Sequence, residues 1–280
     1  MKIIECPRDA MQGLHDFIPT AKKADYINDL LKVGFDTIDF GSFVSPKAIP
    51  QLRDTAELVK LLNLSSASSK LLAIVANQRG ANDAVMFGEV SYLGFPFSIS
   101  ETFQKRNTNS TISESLVTLK QIQEKCIQTN KQLVVYLSMG FGNPYGDVWN
   151  TDIVLQWVDQ MVEMDISIIS LADTVGVANE KDIALLFSNL TRHYALTEFG
   201  AHLHCTPDNW KSKVEAAFDN GCNRFDAAMK GIGGCPFAND DLVGNLATEN
   251  LMQFIHEKNI AVNIDTAAFN NALLHAGKVF

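Results

Sequence analysis

Short apolar runs rich in Val, Ile and Leu recur along this chain, and segments of helical periodicity separate them. Each run is almost continuously apolar, which is typical of parallel strands that are buried on both faces. The runs cover residues 3–6, 37–43, 71–77, 90–97, 133–139, 166–171, 199–205 and 224–230. About eight βα units in a chain of 280 residues predict an α/β fold, the closed parallel TIM (β/α)8 barrel.

A doubly wound open sheet is the alternative fold for such alternation. The glycine patterns that often accompany it, G-x-G-x-x-G and G-x-x-x-x-G-K, do not occur here. No linker or change of composition marks a domain boundary, so we expect one catalytic barrel domain over residues 1–280. The barrel should carry a long loop after the eighth strand and short C-terminal helices, with a helical extension over about 259–280.

The predicted helices have recognisable start and stop signals. Thr20 is a candidate N-cap for a helix that Gly34 ends, and Asn179 precedes a second apolar stripe. A third stripe begins at Trp210 and is closed by Gly221. Core packing explains nearly all of the aromatic positions on these helices.

The charge balance limits the partners of this protein. A net charge of −9 argues against nucleic-acid binding, and it requires a local cation or metal for any anionic substrate. Neither a leader segment nor an apolar run of membrane-spanning length is recognisable, so we expect no membrane association. Five scattered cysteines without a C-x-x-C pair suggest a reducing compartment, and a cytoplasmic location is the resulting expectation.

Reactive side chains collect where the predicted strands end. In a TIM barrel this rim carries the active site. The candidates are Asp9, Asp39, Ser42, Asn77, Ser138, Asp173, His202, His204, Cys235 and Asn245.

His202 and His204 form the sharpest local signal. Residues i and i+2 of a strand point to the same side, so both imidazoles should project into the barrel mouth. Taken alone, the pair is equally compatible with a metal site and with two hydrogen-bonded core histidines. Asp9 is well placed to add a carboxylate ligand, because the first and last strands are neighbours in a closed barrel.

Two further elements have a structural and a functional interpretation. Arg8 and Asp9 are more commonly a bridging surface ion pair, but Asp9 could also bind metal while Arg8 stabilises an oxyanion. Cys235 lies in a glycine-rich loop, residues 231–238. A lone cysteine is usually an inert small hydrophobe, and on a loop of the catalytic rim it is a candidate proton donor.

Together these stretches resemble the 3-hydroxy-3-methylglutaryl-CoA (HMG-CoA) lyase family, within the wider group of metal-dependent barrels that make or break carbon–carbon bonds. The resemblance runs from about residue 5 to about residue 260. The segments around Ser42–Lys47 and Gly233–Ala238 are specific to the lyase branch, whereas the Arg-Asp, Asp-Thr and H-x-H elements are shared with condensing synthases. The matching stretches are residues 7–9, 42–47, 50–51, 169–177, 202–204, 233–238 and 244–249.

The resemblance implies metal-dependent cleavage of HMG-CoA to acetyl-CoA and acetoacetate. It implies that Arg8 stabilises the enolate oxygen, that Asp173 orients or deprotonates the tertiary hydroxyl, and that Cys235 donates a proton. Glu249 would support the loop that carries Cys235. The implied ligands of Mg²⁺ or Mn²⁺ are Asp9, His202, His204 and Asn245.

An acyl-CoA substrate also needs groups that bind the CoA moiety. We assign Lys47 and Asn77 to this role, and Asp39 to the catalytic set. The other cations on the rim are more commonly solvated surface charges; they are Arg53, Arg79, Lys105 and Arg106.

Several departures from the family pattern leave the acyl group open. Asp39 stands where the family has Glu, Cys205 where it has Asp, and Ala10 and then His15 where it has Gly and Lys. The loop after Cys235 carries an inserted Asp240–Asp241 pair. The alternatives are a lyase for a related 3-hydroxyacyl-CoA, a condensing acyltransferase of the isopropylmalate or homocitrate synthase type, and a non-catalytic metal-stabilised subunit. A homodimer is left open.

Overall fold

Eight parallel strands form a closed barrel in which each strand pairs with its neighbours in chain order. The computed structural model describes residues 1–65, 67–234 and 243–280. The strands are β1 (Lys2–Glu5), β2 (Thr37–Ser42), β3 (Lys70–Ile74), β4 (Val90–Ser98), β5 (Gln132–Ser138), β6 (Ile168–Ala172), β7 (Glu198–His202) and β8 (Arg224–Ala227). This architecture confirms the predicted TIM barrel.

Helices surround the barrel and complete the βα units. Several begin with a side-chain cap, and Asn179 accepts a hydrogen bond from the backbone of Asp182 as its position in the sequence predicts. The helices are α1 (Pro7–Gln12), α2 (Thr20–Leu31), α3 (Thr55–Leu58), α4 (Gln78–Ala84), α5 (Glu101–Thr108), α6 (Ile112–Gln128), α7 (Thr151–Glu163), α8 (Glu180–His193), α9 (Trp210–Asp219), α10 (Thr248–Glu257) and α11 (Thr266–Val279).

The interior of the barrel has an apolar half and a polar half. Inward-facing side chains of β3 to β6 form one buried apolar cluster, which includes Leu72, Ile74 and Tyr136. The strands on the opposite side contribute buried Asp39 and Asp226 instead. Ionisable groups at the barrel mouth are therefore concentrated on the side formed by β1, β2, β7 and β8.

Closure of the barrel places β1 between β2 and β8. Lys2 pairs with Arg224 and Glu5 with Ala227, so the residues that follow β1 lie beside those that follow β8. Glu5 reinforces this seam, because its carboxylate accepts hydrogen bonds from the backbone N–H of Met229 at 2.9 Å and the hydroxyl of Thr248 at 2.6 Å. This pairing brings Asp9 towards His202 at the end of β7 and His204 just beyond it.

Four predicted element boundaries are wrong in detail. Thr20 is the first residue of α2, and Pro19 holds the N-cap position. β3 ends before Asn77, whose side chain instead caps α4 through the N–H of Gly80. β7 ends at His202, so His204 lies beyond the ladder, and the segment predicted to extend β8 turns at Lys230 with φ of 63°. Polar caps and turns at this rim compete with continuation of the strands.

After β8 the described chain contains the helices α10 and α11, and the predicted long loop includes residues outside the described part. The last helix, α11, packs against α2, where His275 and Asp29 lie 2.8 Å apart and the rings of Tyr26 and Phe280 meet edge to face. Among residues 1–65, 67–234 and 243–280, no helix is both long enough and apolar enough to cross a membrane. Assignment of the whole chain to one catalytic domain stays a prediction.

Candidate active site

A cavity of about 490 Å³ opens at the carboxyl ends of the strands. Its lining includes the sequence-predicted site residues Arg8, Asp9, Asn77, Ser138, His202 and His204. The cavity wall is also partly apolar, since Ile74, Pro96 and Tyr136 from the apolar half of the barrel contribute to it. A cleft that combines apolar walls with a few convergent polar groups is the usual form of a small-molecule site.

The short helix α1 presents Arg8 and Asp9 to this cavity. Pro7 occupies its first turn, where a missing N–H costs nothing and the fixed φ suits a helix. The Arg8 guanidinium donates to Asp39 Oδ2 from Nε at 2.9 Å and from Nη2 at 2.5 Å. Its Nη1 donates to Asp9 at 2.8 Å and to Gln12 at 2.9 Å. The arginine is therefore held in one orientation by three side chains.

Asp9 is a carboxylate with three donors around it. Arg8 and Gln12 donate to its Oδ1, and Asn245 donates to its Oδ2 at 2.7 Å. Burial favours the neutral carboxyl, but the nearby charges of Arg8 and His202 and the hydrogen bond from Asn245 more than offset that effect, so the pKa of Asp9 is lowered. Asp9 is thus ionised at neutral pH, the state that a metal ligand needs.

His202 and His204 converge with Asp9 as a candidate metal centre. One ligand atom from each of the three residues lies within 4.8 Å of the others. The His202 ring is oriented by Asp226, whose Oδ2 lies 3.1 Å from Nδ1, and the His204 ring is hydrogen-bonded to the backbone of Thr174. Outer partners of this kind fix the ring orientation and leave the other nitrogen for a metal. Two imidazoles and a carboxylate fit a divalent ion.

The two histidines differ in their protonation. Burial and the neighbouring His202 lower the pKa of His204 to about 3, so this ring is neutral. Burial also disfavours the charged form of His202, but the hydrogen bond and charge of Asp226 outweigh it and raise the pKa. A positive ion bound beside both rings would favour their neutral forms.

Asn245 lies next to Asp9 but presents its amide nitrogen to it. That nitrogen donates to Asp9 and, at 3.0 Å, to the carbonyl of Ile232. Gly233 makes this approach feasible, because it has φ of 109° and a Cβ there would lie 2.5 Å from the Asn245 amide. The structure brings Asn245 to the predicted centre, while its role as a ligand stays a prediction.

Asp39 lies under the guanidinium of Arg8 and is completely buried. Burial raises its pKa to about 6, although Arg8 counteracts that rise. Its Oδ1 has no hydrogen-bond partner among the described residues. Asp39 therefore supports Arg8 through a single oxygen.

Asp173 is buried beside the site with both carboxylate oxygens engaged. Oδ2 forms an ion pair with Lys213 at 2.7 Å, and Oδ1 accepts from the N–H of Ala178 at 2.9 Å. Among the described residues that line the cavity, Asp173 is not included, whereas its neighbours Ala172 and Thr174 are. A direct catalytic role for Asp173 stays a prediction, and the contacts of the side chain favour a supporting role.

Of the five cations considered for CoA binding, one lines the cavity and four lie outside its lining. Arg106 lines the cavity, and its guanidinium lies over the ring of Tyr145 at 4.7 Å from the centroid. Lys47 is exposed and lies outside the cavity lining, as do Arg53, Arg79 and Lys105. Asn77 reaches the cavity while its oxygen caps α4. The CoA-binding roles stay predictions.

The remaining sequence-predicted positions are either outside the described residues or outside the cavity lining. Cys235 and the Asp240–Asp241 pair lie outside the described residues. His15 is exposed, and Ser42 is buried outside the cavity lining. Cys205 is buried as a free thiol, and burial raises its pKa to about 12, so it is unreactive as a nucleophile.

Three residues with clear contacts in the site were missed in the sequence. Gln12 follows Arg8 and Asp9 by four and three positions, a helical spacing that could have indicated a shared face. Asp226 is an acidic residue inside a predicted buried strand, which is itself an unusual signal. Lys213 had no such signal, because a lysine on a surface helix is ordinarily solvated.

Fold, cavity and candidate metal centre together define an enzyme of the carbon–carbon lyase class, as the named relatives are. The HMGL-like family model matches residues 2–273, and the chain belongs to this family. The family implies a divalent metal, and the residues around Asp9 fit one.

Named relatives share the class but not a single substrate. A hydroxymethylglutaryl-CoA lyase of Bacillus subtilis is 33% identical over 258 residues, covering 92% of this chain and 85% of the relative. An (R)-citramalyl-CoA lyase of Chloroflexus aurantiacus is 29% identical over 271 residues, covering 94% and 85%. The solved structure of an HMG-CoA lyase from Acinetobacter baumannii, in complex with coenzyme A and 3-methylmalate, superposes with a TM-score of 0.91 at 32% identity, covering 99% and 90%.

Proposed function

We propose that this protein cleaves HMG-CoA to acetyl-CoA and acetoacetate in a metal-dependent reaction. The observation that carries the proposal is the convergence of Asp9, His202 and His204 in one cavity, with the Arg8 guanidinium hydrogen-bonded to Asp9. The names of the relatives support the choice of an acyl-CoA substrate with a tertiary hydroxyl. In such a cleavage the hydroxyl loses its proton, the adjacent carbon–carbon bond breaks, and the electron pair passes to a thioester enolate.

The centre at Asp9, His202 and His204, with Asn245 beside it, would hold Mg²⁺ or Mn²⁺. When bound, such an ion lowers the pKa of a hydroxyl group and fixes the geometry of the substrate oxygens. The neutral state of His204 keeps a nitrogen lone pair available, and Asp226 keeps the His202 ring in place. These residues bind and orient without themselves accepting the acyl group.

Arg8 is the proposed partner of the enolate oxygen. A guanidinium has five N–H donors, and four of them are used by Asp39, Asp9 and Gln12. Among the described residues no acceptor is found for one N–H of Nη2, which is thus available to the substrate, and the side chain lines the cavity. A donor held in advance by three partners needs no reorganisation when negative charge develops on the thioester oxygen.

Proton delivery to the enolate carbon completes acetyl-CoA. We assign Cys235 to this step as a proposal from its place in the family motif. Arg106, which lies at the cavity wall over Tyr145, is the described cation best placed to meet a CoA phosphate. Asn77 can add a neutral polar contact at the same wall.

A second candidate is cleavage of a shorter or differently branched 3-hydroxyacyl-CoA. Two observations favour it: the related (R)-citramalyl-CoA lyase, and Asp39 under Arg8, one methylene shorter than the Glu of the family pattern. Both reactions use the same charges and the same metal. The residues that contact the acyl branch would decide between them.

The test is a direct assay on purified protein with HMG-CoA and Mg²⁺ or Mn²⁺, with and without a chelator. We expect acetoacetate and acetyl-CoA only with metal, and a parallel assay with (R)-citramalyl-CoA measures the alternative. Absence of cleavage of either substrate, together with condensation of acetyl-CoA and a 2-keto acid, would overturn the proposal in favour of a synthase.

A further inference from the structure

Lys213 is a buried lysine on α9, with a side chain that is 3% exposed. Its ammonium group donates three hydrogen bonds, to Asp173 Oδ2 at 2.7 Å, to the carbonyl of His204 at 2.9 Å and to the carbonyl of Gly176 at 3.1 Å. An ammonium has three N–H donors, so all of them are used. Lys213 therefore joins the loop after β6 to the chain beyond β7, and no donor remains for a substrate.

Asp173 completes the connection from the other side. Its Oδ1 accepts from Ala178 at the far end of the loop, and its backbone N–H donates to the carbonyl of His202 at 2.9 Å. The ion pair thus connects to the backbone of both metal-centre histidines, and neither of its residues belongs to the described cavity lining. Both oxygens of the Asp173 carboxylate are occupied by protein donors.

Contacts from Lys213 and from the loop after β6 fix both the backbone and the ring of His204. β7 ends at His202, so the ladder does not set the position of His204. Lys213 binds its carbonyl, and the backbone of Thr174, next to Asp173, binds its ring. The backbone of His204 also forms an isolated antiparallel β-bridge with Asn245. Displacing the loop would move the ring of His204 as well as its backbone.

A buried ion pair often contributes little net stability to a fold. The cost of desolvating two charges is often as large as their attraction, and an apolar pair of similar volume would serve equally well. Directional hydrogen bonds to a particular carbonyl are what the charged pair adds. We propose that Lys213 and Asp173 are positioning residues that hold His204 in the geometry of the metal centre, and that neither touches the substrate.

This inference rests on the metal centre of the proposed function, but its test does not require the substrate. The measurement is the Kd for Mn²⁺ by titration calorimetry, with the free ion followed by electron paramagnetic resonance. Lys213→Met retains the volume of the side chain and removes the donors. Loss of an outer support typically weakens metal binding by about 10–100-fold, and we expect a loss in that range.

The chain offers a matched control in a second buried lysine–aspartate pair. Lys23 Nζ and Asp54 Oδ1 also lie 2.7 Å apart, with side chains that are 0% and 6% exposed, and neither lines the cavity. Lys23→Met should lower the stability of the protein to a similar degree but leave the Mn²⁺ Kd within about twofold. An unchanged Kd in Lys213→Met, or an equal loss in Lys23→Met, would overturn the positioning role.

Removal of Lys213 leaves the Asp173 charge buried without a partner, which can prevent folding. The double variant Lys213→Met/Asp173→Asn removes both charges and allows the same Kd measurement.

The single variant Asp173→Asn distinguishes a positioning role of Asp173 from direct catalysis. With a positioning role, Mn²⁺ binds more weakly and much of kcat returns at saturating Mn²⁺. A collapsed kcat with an unchanged Kd would identify Asp173 as the base instead. Failure of HMG-CoA cleavage in the wild type would leave the Kd comparison intact.

Discussion

Two buried cation–carboxylate pairs flank the candidate metal centre. Arg8 and Asp39 lie on the side of β1 and β2, with Nη2 and Oδ2 2.5 Å apart. Lys213 and Asp173 lie on the side of β6 and β7, at 2.7 Å. Each pair is close to a predicted metal ligand, and all four side chains are less than a tenth exposed.

The pairs differ in what remains after their hydrogen bonds are counted. Arg8 lines the cavity and keeps one N–H without an acceptor in the described part of the chain, whereas Lys213 uses all three donors on protein acceptors. A buried charge near a catalytic centre is therefore not by itself a catalytic group. The atoms that still face the cavity distinguish a group that can act on substrate from one that only holds its neighbours.

A useful comparison is Glu5, a buried carboxylate that has no cation partner among the described residues. It accepts two hydrogen bonds, and burial raises its pKa to about 8. Burial raises the pKa of Asp39 only to about 6, because Arg8 counteracts the effect. The cation thus keeps the carboxylate below it ionised at neutral pH.

The largest expected effect comes from Arg8→Lys. The variant keeps the positive charge but loses the planar fork that binds Asp39 and Asp9 together. Losing one preorganised donor to an oxyanion costs on the order of 10²–10³ in kcat, and we expect a loss of that size. Steady-state kinetics at saturating metal measure it. A rate within about threefold of wild type, far below that range, would refute the distinction between the two pairs.

Asp226→Asn is expected to have an intermediate effect. The carboxylate acts on His202 through the ring, as Lys213 acts on His204 through the backbone, and an amide weakens that interaction. We expect the Mn²⁺ Kd to rise by about 10-fold or more. Titration calorimetry measures the change, and Asp159→Asn, on the outer surface, is the control. Equal Kd values would show that the ring of His202 needs no outer partner.

Glu5→Gln is expected to have the smallest effect and concerns stability. Since the pKa of Glu5 is raised in the folded protein, its neutral form stabilises the fold below pH 4.5, and this contribution is lost as the pH rises through about 8. The slope is at most about 1.4 kcal/mol per pH unit. The introduced amide can still accept a hydrogen bond from Met229 and donate one to Thr248, but it does not titrate. The unfolding free energy of the variant should therefore lack the pH-dependent contribution of Glu5. Urea unfolding from about pH 5 to about pH 8 measures the difference, and parallel curves would contradict the assignment.

The barrel and its reactive rim could be predicted from the sequence because their signals are local. Apolar runs and helical stripes repeat within a few residues, Asn179 precedes its helix, and His202 and His204 are two positions apart. Strand ends were less predictable. The apolar pattern predicts strands that include Asn77 and Lys230, but a side-chain cap and a left-handed turn end those segments earlier.

The partners of the buried charges depend on the tertiary structure alone. Asp173 and Lys213 are 40 residues apart, and Asp226 is 24 residues from His202. No periodicity relates such positions, because closure of the barrel brings them together. The sequence by itself determined the fold class, the rim and the residues able to bind a metal. Only the tertiary structure decided which charged atoms are used up by neighbours and which face the cavity, since hydrogen-bond geometry depends on distances between strands.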